Sequence, residues 1–192
     1  LLLRLSVSGE DGPVPDPVYG GQLQDQANPN VPVEAEPMIT WEEVPGAYPD
    51  GTAYSLLHPT YTLSNPSHGA FAADLMVSPR IAPHMVGLGL LEAISQEHLE
   101  VLADPEDTDE NGISGRIQWL ETETGPQIGR FGWKGDAPDI DVQVAGAFAG
   151  DMGLTSALVP MDDCTESQEI CRLEPHGGTP EVDDVVFARV AL

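Results

Sequence analysis

The chain reads as a mainly α-helical protein with long loops and one short β-hairpin. Three observations predict this. The apolar residues between Met85 and Ile94 recur at helical rather than alternating spacing. Gly and Pro together make 38 of the 192 residues (20 Gly and 18 Pro), which lengthens loops without reaching the composition of a disordered chain. A single pair of extended segments flanks a Pro49-Asp50-Gly51 turn.

In chain order, the opening Leu1-Leu2-Leu3-Arg4-Leu5 is too short for a signal peptide and runs at once into Gly, Asp and Pro. With no initial Met, the chain is expected to be an interior piece of a longer one. Residues 1–37 are rich in Pro, Gly and Asn and are expected to be mostly irregular, with Tyr19-Gly20-Gly21-Gln22-Leu23-Gln24 as their densest cluster. Met38 to Val44 alternates weakly, and Thr52 to Leu63 reads as the returning strand of the hairpin.

From Pro83 the pattern becomes helical. Met85, Val86, Leu88, Leu90, Leu91 and Ile94 predict a helix apolar on most sides and hence buried. Gly87 and Gly89 inside it cost about 1 kcal/mol each against Ala. They would admit another backbone or a flat cofactor, or serve only tight helix packing. Ser95 is placed to cap a short helix over residues 96–103. Ile140 to Phe148 reads as a helix with Val142, Ala145 and Phe148 on one face. Thr179-Pro180-Glu181 predicts a last helix, with Thr179 as cap and Pro180 in its first turn, running to the end of the chain.

Charge excludes several functions. With 32 acidic and 7 basic residues the net charge is −25. Phosphate backbones require Lys and Arg, so nucleic acid is not an expected partner. No apolar run approaches the roughly 20 residues of a membrane span. The acidity suits a periplasmic or secreted protein. Cys164 and Cys171 lie close together in a polar segment and read as a local disulfide of an oxidising compartment. The alternatives are two free thiols, or metal or redox chemistry without the usual C-x-x-C spacing.

Two constellations could carry chemistry. In Asp107-x-Asp109-x-Asn111-Gly112-Ile113, oxygen side chains alternate ahead of a glycine, as in the first half of a Ca²⁺-binding loop. Asp107, Asp109 and Asn111 would supply side-chain oxygens and Ile113 a carbonyl. Position twelve is Gln118 rather than an acid, so the ligand set is incomplete, and an acidic surface turn is the plain alternative. In the second, Arg130-Phe131-Gly132-Trp133-Lys134 sets an aromatic in a glycine-flanked loop, and Gln143 to Gly153 sets an amide on a helix with Asp151 just beyond. An amide and a carboxylate over one pocket can bind and deprotonate a small polar substrate. Taken singly, Trp133 reads as core and Gln143 as a cap or surface group. None of His58, His68, His84, His98 and His176 has a partner at metal-ligand spacing, and each reads as structural or exposed.

Taken as an ordered set, several segments resemble the bacterial di-haem oxidoreductases, relatives of the di-haem cytochrome c peroxidases and MauG-type enzymes. They are Pro17 to Gln24, Ser78 to Pro83, Gly87 to Ile94, Asp109 to Arg116, Gly129 to Lys134, Gln143 to Gly153 and the cysteine pair. The resemblance implies part of a cytochrome c peroxidase-like di-haem architecture. It covers the stretch between the two C-x-x-C-H haem-attachment motifs of that family, neither of which is present here. It implies two c-type haems attached outside this chain. A small redox protein or small-molecule donor would supply electrons, and a peroxide-type oxidant would accept them.

By resemblance, Trp133 is the relay between the haems, Gln143 a hydrogen-bond donor on the open side of the first haem, and Asp151 its acid/base. Asp151 departs from the group's Glu and stands closer in sequence to Gln143. Arg80 and Pro83 belong to a segment that packs near the same haem, and His84 reads either as an axial ligand or as a packed residue at a helix start. The chain would then divide into a loop-rich segment with a hairpin, 1–75, and a helical segment, 76–192, with the acidic loop, the pocket motif and the cysteine loop. Two other classes compete: a secreted Ca²⁺-binding structural or adhesion module, favoured by the acidic loop, and a carbohydrate-binding module, favoured by Trp41 and Trp119.

Overall fold

A computed structural model describes residues 2–82, 84 and 86–191. Its elements in chain order are β1 (Leu2–Gly9), β2 (Gly12–Val14), β3 (Glu36–Ala47), β4 (Ala53–Ser64), β5 (Met76–Arg80), α1 (Leu88–Glu92), α2 (Gln96–Leu102), β6 (Trp119–Thr122), β7 (Gly125–Ile128), α3 (Ile140–Met152), α4 (Glu169–Leu173) and α5 (Asp184–Ala191). Helix accounts for 20% and strand or bridge for 29%, so the expected mainly α architecture is wrong. The sheets are small and antiparallel. The chain forms two compact units, Leu1–Ile81 with Cys164–Pro175, and Ala82–Asp163 with His176–Leu192.

The first unit is built on β1. It lies at the centre of a three-stranded sheet in the order β2-β1-β5, with Leu3 opposite Pro79 and Leu5 opposite Val77. Side chains alternate across a strand, so Leu3 and Leu5 share the buried face while Arg4 is exposed. They pack with Tyr19, Leu23 and Ala35, against Tyr61, Leu63, Phe71 and Val77. Residues 1–37 are therefore less irregular than their composition predicts. A two-leucine alternation is enough for a strand once β5, some 70 residues on, supplies the other half of its ladder.

Polar contacts hold the Tyr19 segment. The Asp16 carboxylate accepts the amides of Val18 and Tyr19 at 2.8 and 2.9 Å, and Asp16 and Gly20 exchange backbone hydrogen bonds. The Tyr19 hydroxyl donates to the Gly69 carbonyl at 2.6 Å and accepts from the His68 amide. Its ring lies 4.4 Å from that of Phe71, and burial pushes its pKa up. Cys164 and Cys171 form the expected disulfide, with Cα atoms 6.1 Å apart. Beside it, the Thr165 hydroxyl donates to the Val18 carbonyl at 2.6 Å, and Gln168 donates to the buried Glu34 carboxylate.

The expected hairpin is present and longer than predicted. β3 and β4 pair over twelve positions, and Asp50 holds the turn by accepting the Thr52 amide. Tyr61 and Leu63 near its base reach the core, whereas Trp41, Leu56 and Leu57 further out are exposed.

In the second unit the core is Val144, Phe148 and Val182, backed by Ile140, Leu154 and Phe187. Two sequence expectations fail here. The buried helix over 83–94 is only α1, and it buries nothing: Val86 is 96% and Leu90 79% exposed. Gly87, with φ 87°, starts the helix in a left-handed conformation and so shortens it. Pro83 and Met85, named in that expectation, lie outside the described residues. The last helix begins at Asp184 rather than at Pro180, and residues 179–182 form a turn ahead of it. Asp183 caps it, its carboxylate accepting the Val186 amide at 2.8 Å. No helix among the described residues is long and apolar enough to cross a membrane.

Glu181 fastens that turn. Its carboxylate accepts the Thr155 amide and hydroxyl at 3.0 and 3.2 Å and the Gly177 amide at 3.0 Å. The Thr155 amide first, then the Gly177 amide, hold its pKa below the usual carboxylate range. A carboxylate with a depressed folded pKa stabilises fully above its ordinary value and loses that contribution as pH falls through the lowered one. Glu181→Gln is therefore expected to lower stability by about 1–2 kcal/mol near neutrality. Urea melts should show the gap between variant and parent closing as pH falls below about 4. A gap that is constant from pH 7 to 3 would count against the charged staple.

Candidate functional site

The pocket motif is built on α3 and the loop that precedes it. Asp139 caps α3, accepting the Val142 amide at 2.8 Å. Val144, Ala145 and Phe148 turn into the core. Val144 takes the place that sequence spacing assigned to Val142, which is 42% exposed. Gly153 ends the helix in a left-handed conformation, and the Leu154 amide folds back onto the Phe148 carbonyl at 2.8 Å. At 100° per residue, Gln143, Gly146, Ala147 and Gly150 then share the face opposite that core. A Cβ on Gly146 or Gly150 would meet nothing within 4 Å. This is a smooth strip of backbone, with a half-buried amide at one end.

Arg130 ties this helix to its neighbour. Its guanidinium donates to the carbonyls of Leu91 and Glu92 at 3.3 and 3.1 Å and to that of Ile94, at the end of α1. Carbonyls at a helix end are short of helical partners, and a fixed cationic fork suits them; the Leu91 carbonyl also accepts the Ile94 amide at 3.3 Å. In return the Glu92 carboxylate accepts the Ile140 amide, at the start of α3, at 2.9 Å. Gly87 and Gly89 of the adjoining segment also have open space where a Cβ would stand.

Between β7 and α3 the chain makes a narrow loop closed by Phe131 and Ala137, whose backbones bond in both directions. Phe131 and Ala137 are buried, and Trp133 stands outside at the tip, 52% exposed. The loop depends on glycine. A Cβ on Gly129 would lie 1.7 Å from the Gly135 carbonyl oxygen, and one on Gly132, where φ is 82°, would lie 1.6 Å from the Asp136 carboxylate. The expectation that Trp133 belongs in a glycine-flanked loop is met in this geometry.

The structure places the sequence-derived residues as follows. Gln143 and Asp151 lie on the same helix, eight residues or about 12 Å apart along the axis. They are about 80° apart around it and do not converge on one point, and Asp151 lies well to one side of the Gly146–Gly150 strip. Asp151 is exposed. Arg80 ends β5 in the first unit, paired in register with Leu2. Pro83 is outside the described residues, and His84 is exposed.

The acidic loop is closed at its base by Asp104 and Gly115, with the Asp104 amide donating to the Gly115 carbonyl. Carboxylate oxygens of Asp104, Asp107 and Asp109 come within 4.8 Å of one another. Asp104 was not among the sequence candidates. It precedes the alternating run and joins it only because the loop closes there. The Asp107 carboxylate accepts the Gly112 amide at 3.1 Å, and Asn111 Oδ1 accepts the Ile113 amide at 2.8 Å. Asp104 accepts the Thr108 amide at 2.7 Å, which, followed by the Thr108 hydroxyl, holds its pKa low.

Because Gly129 and Gly135 touch, Gly129→Ala is expected to open the Trp133 loop. Overpacking of this kind costs about 1–3 kcal/mol. The variant should melt several degrees lower, and its Trp fluorescence should shift with the loop. An unchanged melting temperature would mean that the loop base is looser than described.

The strip on α3 fits a flat macrocycle: it offers backbone at close range and an amide at its edge. The thioether anchors of a c-type haem do not come from residues 1–192, since the only two cysteines are joined to each other. No curated protein and no solved structure matches the chain. A family model described as "Di-haem oxidoreductase, putative peroxidase" matches residues 11–169. That span contains the Tyr19 segment, the acidic loop, the Trp133 loop and all of α3, and the chain belongs to the di-haem oxidoreductase family.

Proposed function

We propose that this chain forms the substrate side of a haem pocket in a periplasmic, peroxidase-like enzyme that passes electrons through two c-type haems. The observation that carries the proposal is the open Gln143–Gly146–Ala147–Gly150 face of α3, in a chain of di-haem oxidoreductase family. Haem supplies the redox chemistry when bound. The protein's part is to bind, orient and polarise. The glycines let the ring plane approach the helix. Gln143 would offer its amide as a hydrogen-bond donor on the open side of a haem held there, and Asp151, one turn beyond Ala147, would move protons to and from the solvent side.

Trp133, at the tip of its closed loop, is the electron relay. An indole in a rigid loop can be held against a second redox group without side-chain reorganisation. The exposed Val86 and Leu90 on the α1 segment support the same reading, since large apolar side chains at such exposure mark a surface that something covers. The electron donor is a small redox protein or small molecule, and the acceptor a peroxide.

The optical spectrum of the full-length protein tests this. It should show a Soret band that responds to peroxide. Trp133→Phe should slow electron transfer between the haems at unchanged stability, and Gln143→Leu should weaken the peroxide response. A protein with no Soret band removes the haem reading, and turnover unaffected by Trp133→Phe removes the relay.

The acidic loop favours a second element, a Ca²⁺ site with Asp107, Asp109, Asn111 and the Ile113 carbonyl, joined by Asp104. A secreted Ca²⁺-binding structural module is the reading in which this loop is the whole function. Calorimetric titration should show weak Ca²⁺ binding that Asp107→Asn abolishes. Equal heats for parent and variant would leave the loop an acidic turn.

A further inference from the structure

A group of ligating side chains lies outside the site described above, where the chain leaves the second unit and returns to it. Asp162 stands just before the departure and His176 is the first residue after the return. The His176 Nε2 is 3.5 Å from Asp162 Oδ2. Glu181, on the other arm of the Thr179–Pro180 turn, adds a carboxylate, so that one ligand atom from each residue lies within 4.8 Å of the others. We propose that Asp162, His176 and Glu181 form a binding site for a borderline divalent transition metal of the Zn²⁺ class.

The donor set selects the metal. One imidazole and two carboxylates suit Zn²⁺, Mn²⁺ or Fe²⁺, whereas Ca²⁺ and Mg²⁺ favour oxygen alone. The charges match as well. Two carboxylates and a neutral imidazole carry −2, and among the described residues no Lys or Arg pairs with either acid. A divalent cation neutralises the group, and the chain's net charge of −25 raises the local concentration of such cations.

Orientation is in place before any ion arrives. The bonds from Thr155 and Gly177 fix the Glu181 carboxylate, and Gly177 is the residue that follows His176. The acid that one ligand supplies therefore also positions the backbone of the next. Asp162 and His176 are partly open to water, at 26% and 45% exposure, which gives the ion a way in and leaves room for water as a further ligand. Bound there, the ion would pin the two ends of the excursion that carries the disulfide. Sequence spacing hides the site, because Asp162 and His176 are far apart along the chain and no two-residue motif announces them.

Zn²⁺ titrated calorimetrically into the EDTA-treated full-length protein, in excess Ca²⁺ to fill the acidic loop, tests the proposal. One Zn²⁺ site is expected. His176→Ala and Asp162→Asn should each weaken it at least about tenfold, as much as losing a mere outer-shell partner costs elsewhere. His98→Ala, an exposed histidine outside the group, should leave it unchanged. Binding should weaken on acidification, because protons compete with the metal for its ligands. No Zn²⁺ uptake, or an affinity the same in parent, His176→Ala and Asp162→Asn, would overturn the site and leave His176–Asp162 as a surface contact.

Discussion

One guanidinium holds the candidate site together. Arg130 stands between β7 and α3, and its side chain closes the end of α1 by donating to the carbonyls of Leu91, Glu92 and Ile94. α1 has no buried residue of its own, so this fork helps to hold it in place. Glu92 returns the connection by accepting an amide at the start of α3. The Trp133 loop leaves the same backbone one residue later. The positions of α1, the loop and the Gln143 face thus all follow from one side chain and the glycines beside it.

The fold was legible where signals were local. The β3–β4 hairpin was visible because a Pro-Asp-Gly turn separates its strands. The second helix was visible because Ser95 caps it, and the disulfide because two cysteines share a short polar stretch. It was not legible where partners are distant. β1 is stabilised by β5 across most of the first unit, and nothing within residues 2–9 announces that ladder. β6 and β7 are four residues each, too short for alternation to stand out. The strongest apparent helix signal, between Met85 and Ile94, misled for a different reason. Among its described residues none is buried, so helical spacing there does not report burial.

The candidate site was read unevenly for similar reasons. Trp133 and Gln143 were named through a resemblance spread over the chain, and the glycines around the Trp133 loop are in the sequence for sound steric causes. Asp151 was expected over the same pocket as Gln143. It lies two turns further along α3, exposed and about 80° round the helix from Gln143. Asp104 was missed because its approach to Asp107 and Asp109 depends on how the loop closes. The exposure of Val86 and Leu90, unexplained as an ordinary surface, makes sense in the proposed function as a face that a haem or its supporting chain covers.

The central claim is that the small-residue face of α3 lies against a haem. A crystal structure of the haem-loaded full-length protein tests it most directly. The account places a macrocycle over Gly146 and Gly150, with the Gln143 amide within hydrogen-bond reach of a ligand on the iron. A structure in which that strip is covered by polypeptide or open to solvent, with both haems elsewhere, would contradict it.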